Sequence, residues 1–366
     1  MDRRVVLSVV GTRPNLMKTA PVLAELGRRP ALFESVLVHT GQHFDTDMSA
    51  VFFDELGIDE PDHFLAVGAG THAQQTARVM DRLEPVLTEL RPDLVLVPGD
   101  VNSTLATALT AAKLGIPVAH LEAGLRSFDR SMPEEINRIV TDALARIHFT
   151  HSPEAEANLR REGVAPSSIH SVGNTMIDTL LALRGRPEVR QAPQRHGLEP
   201  GSYLLVTLHR PALVDGPLLL EAVTHLAAIA RELPVVFPVH PRTHAALARV
   251  PVAQLGSIRF LPPLGYLEFL GLEAGAAAVL TDSGGVQEET SVLGVPCFTL
   301  RENTERPITV ELGTNTVLGL APERIADVPR LLRNRREEPG QIPGWDGHAA
   351  KRVVDVLEDV LWRESP

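Results

Sequence analysis

The stretch Thr281–Glu289, with the sequence TDSGGVQEE, carries residue types that suit the binding of an anion. It follows the apolar run Ala276–Leu280, which predicts a short buried strand, and Val286–Leu293 has helical character. Two consecutive glycines let the backbone come close to a ligand, and the N-terminus of a helix favours a negative charge, most often a phosphate. The alternative is a tight turn in which Asp282 or Ser283 caps the helix.

Charged and polar residues recur at nearly every predicted strand end. In the first half of the chain they are Arg13, Lys18, Gln42, His43, Asp100, Glu122 and Arg126, and in the second half they are His209, Arg210, His240, Arg242, Asp282, Ser283, Arg301, Glu305 and Arg306. A single charge at a loop start is an ordinary solvated cap, and a sheet needs no such pattern for stability. The recurrence indicates a cleft that binds a polyanionic ligand rich in hydroxyl groups.

Three carboxylates have the chemistry of a general acid or base. Asp100 and Glu122 end two predicted strands linked by one helix, so their side chains are expected to share a site. Glu134 follows Pro133 at a predicted helix start, where the alternative is a favourable charge at a helix N-terminus or an i,i+4 pair with Arg138. Paired carboxylates in a partly desolvated cleft can divide the acid and base roles between them.

Strands and helices alternate along the chain, which predicts doubly wound parallel sheets with ligands at the carboxyl ends of the strands. The length of 366 residues favours two domains whose facing sheets form a cleft. We place the first domain at 1–170, joined by a C-terminal helix over about 353–366, and the second at 171–352. Arg184–Gly201 is rich in Pro, Arg and Gln and predicts a surface loop.

Composition excludes several classes of protein. The net charge of −11 argues against general nucleic-acid binding, and one cysteine, Cys297, rules out a disulfide framework or a cysteine metal cluster. The N-terminal apolar run is too short for a signal peptide and nothing approaches a membrane span, so a cytoplasmic protein is expected. The sequence has no metal-ligand spacing, Walker motif, GxGxxG after the first strand or GxSxG elbow, so no metal and no cofactor is predicted.

Long motifs run along the chain in the order GTRPNLMKTAPV, HTGQHFDTDMS, PGDVNSTLA, HLEAGLRSFDRSMPEEINR, TLHRP, PVHPRT, TDSGGVQEETSVLGVPC and LRENTERPITVELGTN. In these motifs and their order, essentially the whole chain resembles the UDP-N-acetylglucosamine 2-epimerase family of the non-hydrolysing bacterial type. The resemblance implies the glycosyltransferase-B type of fold, with two Rossmann-like domains, an active site in the cleft between them and a final helix that returns to the first domain. It also implies a homodimer.

The resemblance implies interconversion of UDP-GlcNAc and UDP-ManNAc. UDP leaves by anti elimination, a bound 2-acetamidoglucal remains, and UDP returns after a proton reaches the opposite face of C2. Such chemistry needs separate groups to remove and supply the proton, and cations or helix N-termini to hold the pyrophosphate. By resemblance Asp100, Glu122 and Glu134 are catalytic, with the base and acid roles left open. His209 is similar to the histidine that binds or protonates the departing phosphate.

Other positions are similar to the binding residues of the family. Arg13 resembles the arginine that contacts the nucleotide, Glu289 the residue that binds the ribose hydroxyls, and Phe269 falls where the family's backbone reads uracil. Asp282 is expected to brace the loop before the diphosphate seat. The remaining positions assigned to the UDP-sugar site are Lys18, Gln42, His43, Arg138, Arg210, Ser283, Gly284, Gly285 and Arg306.

The chain also departs from the family pattern. Asn15 stands where many members carry Glu, and Val101-Asn102 stands where many carry Thr. Some members bind a second UDP-GlcNAc as an activator through a GQHxQ-like loop, but Asp45 occupies the place of the second Gln, so the match to that loop is incomplete.

Several functions stay open from the sequence. The GTRPN and GQHFD forms allow a sister activity on a related sugar, such as a UDP-2-acetamido-uronic acid. A hydrolysing epimerase would release free ManNAc together with UDP. A retaining glycosyltransferase of the same fold would leave three carboxylates poorly explained, and a nucleotide-sugar binding protein would show no turnover.

Overall fold

The computed structural model describes residues 3–42, 52–248, 250–333 and 340–363. They form two compact units. Unit 1 consists of Met1–Ala182 with Pro343–Pro366, and unit 2 consists of Leu183–Ile342. No helix in the described part of the chain has both the length and the apolar character that crossing a membrane requires.

Unit 1 is built on one parallel sheet. Its strands are β1 (Arg4–Val10), β2 (Phe33–His39), β3 (His63–Phe64), β4 (Leu94–Pro98), β5 (Val118–Leu121), β6 (Ile147–Thr150) and β7 (Ile169–Ser171). They lie in the order β3-β2-β1-β4-β5-β6-β7, so the winding direction reverses between β1 and β4. Every residue of β4 and β5 is buried, as a parallel sheet covered on both faces requires.

Helices cover both faces of this sheet. They are α1 (Arg13–Gly27), α2 (His72–Leu90), α3 (Asn102–Lys113), α4 (Pro133–Leu144), α5 (Pro153–Arg161), α6 (Thr175–Leu183) and the C-terminal helix (Ala349–Arg363), with a 3-10 helix at Pro166–Ser168. Leu94 and Leu96 of β4 belong to the apolar cluster that includes the C-terminal helix, whereas Val95 and Val97 cluster with α2 and α3. Alternate residues of one strand therefore serve opposite faces, which confirms the predicted double winding.

The limits of unit 1 differ from the predicted division at 170 and 353. The Thr179 hydroxyl on α6 donates to Met17 O at 2.7 Å, and the indole Nε1 of Trp345 donates to His151 O at 2.9 Å. These hydrogen bonds join α6, up to Ala182, and the chain from residue 343 to α1 and to the residue that follows β6, all within the first unit.

Unit 2 repeats the plan with shorter strands. They are β8 (Leu204–Thr207), β9 (Val235–Pro238), β10 (Arg259–Leu261), β11 (Ala278–Thr281), β12 (Cys297–Thr299) and β13 (Asn315–Val317), all parallel and in the order β10-β9-β8-β11-β12-β13. The winding direction reverses between β8 and β11, and ligands of open α/β sheets bind at such a point.

The helices of unit 2 are α7 (Pro187–Arg190), α8 (Ala192–Arg195), α9 (Pro211–Val214), α10 (Leu218–Ile229), α11 (Pro241–Leu247), α12 (Val252–Leu255), α13 (Tyr266–Ala274), α14 (Gly284–Leu293), α15 (Ile308–Glu311) and α16 (Val328–Arg333), with a 3-10 helix at Pro322–Asp327. The prediction of a surface loop over Arg184–Gly201 is therefore wrong. Val189 and Ala192 of α7 and α8 are buried, and a Cβ atom at Gly271 would lie 2.1 Å from Val189 O. The missing side chain at Gly271 lets these short helices pack tightly on α13.

Candidate active site

Asp100 of unit 1 lies just beyond β4, after Gly99, whose φ of 63° is in the left-handed region. Its carboxylate forms an ion pair with Arg138 of α4, and the side chains are 27% and 3% exposed, respectively. Arg138 Nη1 also lies 2.7 Å from Glu135 Oε2. A buried guanidinium thus holds a carboxylate that still reaches solvent.

Glu122 follows β5, the neighbour of β4, and has a φ of 68°. Non-glycine residues rarely adopt this conformation, and such strain clusters at functional sites. The Glu122 carboxylate pairs with Lys18 of α1, and both side chains are nearly buried. A small pocket beside this pair is lined by Lys18, Leu121, Glu122, Phe149, His151, Val172, Gly173, Asn174 and Thr175. The structure therefore gives Lys18 and Glu122 one shared pocket in unit 1.

His120 joins the two strand ends that carry these carboxylates. Its imidazole is fully buried, with Nδ1 2.6 Å from Asp142 Oδ1 and Nε2 2.7 Å from Gly99 O. Asp142 also accepts a hydrogen bond from Gly124 N at 3.1 Å. Burial alone would raise the pKa of Asp142, but His120 and Arg126 beside it hold that pKa below its ordinary value. This network fixes the backbone immediately before Asp100 and after Glu122.

Two adjacent glutamates at the start of α4 have different surroundings. Arg138 pairs with Glu135, not in the i,i+4 arrangement with Glu134 that was the alternative reading of the sequence. Glu135 is buried and accepts hydrogen bonds from Ser127 N and Phe128 N, both at 2.9 Å. Successive helical residues point about 100° apart. Glu134 is accordingly only half-buried and remains available as a third carboxylate.

Of the predicted binding residues of unit 1, Gln42 and Arg13 are described by the structure and His43 is not. Gln42 is buried, and its Oε1 accepts hydrogen bonds from Ser103 N at 3.0 Å and Ser103 Oγ at 2.7 Å, so it secures the first turn of α3. The Arg13 guanidinium lies over the Phe52 ring, 3.7 Å from its centroid. His43 and Asp45 are outside the described residues.

In unit 2 the expected bracing role of Asp282 is visible. Its buried carboxylate accepts hydrogen bonds from His209 N at 2.8 Å and Arg210 N at 2.7 Å, and its Oδ1 lies 2.9 Å from His209 Nδ1. Burial alone would raise the pKa of Asp282, but His209 and the two backbone N–H groups lower it below its ordinary value. The loops after β8 and β11 are therefore tied together by one carboxylate.

The N-terminus of α14 has the geometry of an anion seat. The N-cap Ser283 makes no side-chain capping bond, contrary to the tight-turn alternative. A Cβ atom at Gly284 would lie 2.5 Å from Arg306 Nη1, so glycine is required for the guanidinium to lie against this turn. Gly285 follows it in the first turn. Backbone N–H groups, a helix dipole and an arginine at one place favour a phosphate.

Buried carboxylates hold the arginines of unit 2 in place. Glu305 forms a two-point pair with Arg301 at 2.7 and 2.8 Å, and Glu288 Oε1 lies 2.8 Å from Arg306 Nε. Arg210 Nη2 lies 3.6 Å from Glu305 Oε1. Burial would raise the pKa of Glu305, but the arginines beside it hold that pKa well below its ordinary value. Charge compensation lets the guanidinium groups of Arg301 and Arg306 stay in the interior.

Glu289 lies on α14, one turn beyond the anion seat. It is buried and accepts a hydrogen bond from the Tyr266 hydroxyl at 2.8 Å. Burial, followed by the nearby Glu289 and Glu273, raises the pKa of Tyr266 well above its ordinary value. Phe269 is half-buried against an apolar cluster of unit 2.

Sequence reasoning missed the residues that support the site. His120 carried a usable signal, because it stands two residues before Glu122 in the motif HLEAG and period two puts both on one side of a strand. The sequence did not distinguish Glu135 from the neighbouring Glu134. Tyr266 lies outside the motifs, three residues before Phe269, and carried no signal of its own.

Comparison with known proteins gives consistent results. The family model described as UDP-N-acetylglucosamine 2-epimerase matches residues 24–358. A UDP-N-acetylglucosamine 2-epimerase of Methanococcus maripaludis is 41% identical over 360 residues, covering 95% of this chain and 97% of that protein. A UDP-2,3-diacetamido-2,3-dideoxy-D-glucuronate 2-epimerase of Pseudomonas aeruginosa is 40% identical over 359 residues, covering 96% and 99%.

A solved structure agrees with the fold. The crystal structure of the Methanocaldococcus jannaschii UDP-GlcNAc 2-epimerase in complex with UDP-GlcNAc and UDP is similar to this chain with a TM-score of 0.87 and 38% identity, covering 96% of this chain and 99% of that one. The predicted glycosyltransferase-B type of fold, with two Rossmann-like doubly wound sheets, is confirmed.

Proposed function

This chain belongs to the UDP-N-acetylglucosamine 2-epimerase family, and we propose that it interconverts UDP-GlcNAc and UDP-ManNAc without hydrolysing either. The observation that carries the proposal is the pair of carboxylates after the neighbouring strands β4 and β5. Asp100 and Glu122 are each held by a cation from an adjacent helix, Arg138 and Lys18. Such groups can exchange a proton with a bound sugar at defined positions.

The reaction needs no external oxidant or reductant. One carboxylate removes the C2 proton, the C2–H electron pair forms the C1–C2 double bond, and the C1–O bond to UDP breaks. A second acid then returns a proton to the opposite face of C2 while a UDP oxygen adds back at C1. We assign these proton transfers to Asp100, Glu122 and Glu134, of which Glu134 is the half-buried member.

We assign the leaving group to unit 2. The diphosphate occupies Ser283, Gly284 and Gly285 at the start of α14, where the helix dipole and Arg306 stabilise the charge that develops on it. His209, held by Asp282, binds or protonates the departing phosphate. We assign further contacts with the nucleotide to Arg13, Arg210, Phe269 and Glu289.

A second candidate substrate has support of its own. The uronate 2-epimerase of Pseudomonas aeruginosa matches this chain at 40% identity, close to the 41% of a UDP-GlcNAc enzyme. A UDP-2-acetamido-uronic acid is therefore the alternative substrate, and the same elimination and re-addition would apply to it.

Purified protein incubated with each sugar nucleotide and followed by proton NMR separates these functions. We expect UDP-ManNAc to form from UDP-GlcNAc while free UDP stays far below the product. Turnover of the uronate alone would move the assignment to that substrate. Free UDP in an amount equal to free ManNAc would identify a hydrolysing epimerase. Transfer of a labelled sugar to an acceptor would identify a glycosyltransferase, and UDP binding without turnover would identify a binding protein.

A further inference from the structure

Asn174 lies just before α6, three residues after the end of β7, and is 5% exposed. Its side-chain oxygen Oδ1 accepts a hydrogen bond from Met176 N at 2.9 Å, which is the bond that an N-cap residue makes to a free N–H group of its helix. A backbone N–H group can only donate, so this bond also fixes which of the two amide atoms serves the helix. The amide nitrogen Nδ2 is left for another partner.

The Nδ2 group of Asn174 is buried, and no acceptor in the described part of the chain lies within hydrogen-bond reach of it. A buried donor without an acceptor is unfavourable, and buried polar groups nearly always have a partner. Capping alone does not explain the amide, because Asp and Ser cap helices about as well as Asn and carry no such nitrogen. An acceptor supplied by a ligand would explain why asparagine stands at this position.

The surroundings of Asn174 point to that ligand. Three neighbouring strands, β5, β6 and β7, lead into one pocket, which Glu122, His151 and Asn174 line after the respective strand ends. The Glu122 carboxylate pairs with Lys18 through Oε2, and its Oε1 lies 4.0 Å from Nε2 of the buried His151. The pocket therefore combines an amide donor with one of the carboxylates of the candidate active site.

A hydroxyl group suits such a pocket, because it accepts one hydrogen bond and donates another. A sugar carboxylate would also accept from Nδ2, but it would bring a second negative charge to Glu122, which is unfavourable. We propose that Asn174 is a further substrate-binding residue, and that its Nδ2 donates a hydrogen bond to a hydroxyl oxygen of the hexose. The inference rests on the proposed function, because that function brings the hexose to Glu122. No motif of the sequence assigns a role to Asn174.

Two substitutions remove the donor and keep a capping oxygen. Asn174→Asp keeps the shape of the side chain, and Asn174→Ser brings no new charge into the pocket. We expect both variants to bind UDP as the wild type does in calorimetry, because UDP has no hexose. Their kcat/KM for UDP-GlcNAc should fall about tenfold, since one hydrogen bond to the sugar is lost. That split between the nucleotide and the sugar nucleotide separates substrate binding from a role in capping.

A matched control removes a helix cap far along the chain from this pocket. Thr71 caps α2 by accepting a hydrogen bond from Gln74 N at 3.3 Å, and both residues are exposed. We expect Thr71→Ala to lower the melting temperature, whereas its UDP affinity and its kcat/KM for UDP-GlcNAc stay at the wild-type values. A lost cap would then be shown to affect stability without affecting the sugar.

Deoxy analogues of UDP-GlcNAc identify the hydroxyl group. Of the 3-deoxy, 4-deoxy and 6-deoxy sugars, we expect one to lose about tenfold in kcat/KM with the wild type and little more with Asn174→Ser. The two losses should not add for that sugar, because each removes the same hydrogen bond. For the other two analogues the losses should add.

Several results would overturn the inference. One is a folded Asn174→Ser variant with wild-type kcat/KM for UDP-GlcNAc, and another is an equal loss of affinity for UDP and for UDP-GlcNAc. Losses that add in full for all three analogues would show that Nδ2 meets no hydroxyl group of the sugar. Wild-type protein that neither binds nor turns over UDP-GlcNAc would instead overturn the proposed function, and the contact with it. The wild-type assay therefore distinguishes the two failures.

Discussion

In unit 1 the Asp100 carboxylate is the outer member of its pair with Arg138, whereas in unit 2 the Asp282 carboxylate is the inner member of its pair with His209. Asp100 is 27% exposed over an Arg138 side chain that is 3% exposed. His209 is 37% exposed over an Asp282 side chain that is 0% exposed. Both units are built on a doubly wound parallel sheet. Whether the cation or the carboxylate of a pair is buried therefore decides which of the two groups is exposed at the strand end. Unit 1 presents carboxylate oxygens that suit proton transfer, and unit 2 presents cations and proton donors that suit a diphosphate.

The largest effect should follow from removing the two strand-end carboxylates of unit 1. We expect Asp100→Asn and Glu122→Gln each to lower turnover by about 100-fold or more, the scale usual for acid–base groups, while UDP affinity is largely kept. Initial rates and calorimetry with UDP measure the two quantities. Glu89→Gln on the exposed side of α2 is the matched control. Near-wild-type rates in both variants would remove these residues from the mechanism.

An intermediate effect should follow from blocking the anion seat of unit 2. In Gly284→Ala the new Cβ would meet Arg306 Nη1 at 2.5 Å, so either the guanidinium or the helix turn has to move. We expect UDP to bind about tenfold more weakly, because charge-assisted contacts to the diphosphate are lost. Gly216→Ala is the control, since nothing lies within 4 Å of its Cβ position. Equal UDP affinity in the two variants would contradict the seat at α14.

The smallest effect on binding should follow from neutralising the inner carboxylate of unit 2. Asp282→Asn keeps the shape but removes the charge behind His209, and we expect UDP affinity to fall about threefold. The pKa of Asp282 is lowered in the folded protein, so its stabilisation is complete above the ordinary pKa of 3.8 and is lost as the pH falls below 3.8. Acid unfolding curves should therefore be steeper for the wild type than for Asp282→Asn. Parallel curves would show that the charge of Asp282 does not support the loop.

The sequence predicted the features that recur along this chain, namely the alternating strands and helices and the polar residues at strand ends. Parallel strands buried on both faces are continuous apolar runs, and the residues after them stand at predictable strand ends. Asp100, Glu122 and the TDSGG turn were identified in this way, and the structure puts Asp100 and Glu122 after paired strands. The double winding followed from the same alternation.

Features that follow no periodic pattern of apolar residues could not be predicted from the sequence. The helices α7 and α8 have four residues each, too few for a 3.6-residue pattern to show in a Pro-rich segment. Which of two adjacent glutamates points inward depends on the phase of α4 against the sheet, so Glu135 could not be separated from Glu134. Glu273 is fully buried in a helix that also carries the half-buried Glu268, and acids in helices are usually exposed.

The central claim is that a carboxylate of unit 1 exchanges the C2 proton of a UDP-sugar. Its most direct test is a proton NMR time course of UDP-GlcNAc with the protein in heavy water, with Asp100→Asn and Glu122→Gln run in parallel. We predict that UDP-ManNAc grows in with deuterium at C2, that little free UDP accumulates, and that both variants lose the exchange. UDP-ManNAc that retains its C2 proton, or exchange that survives in both variants, would contradict the mechanism.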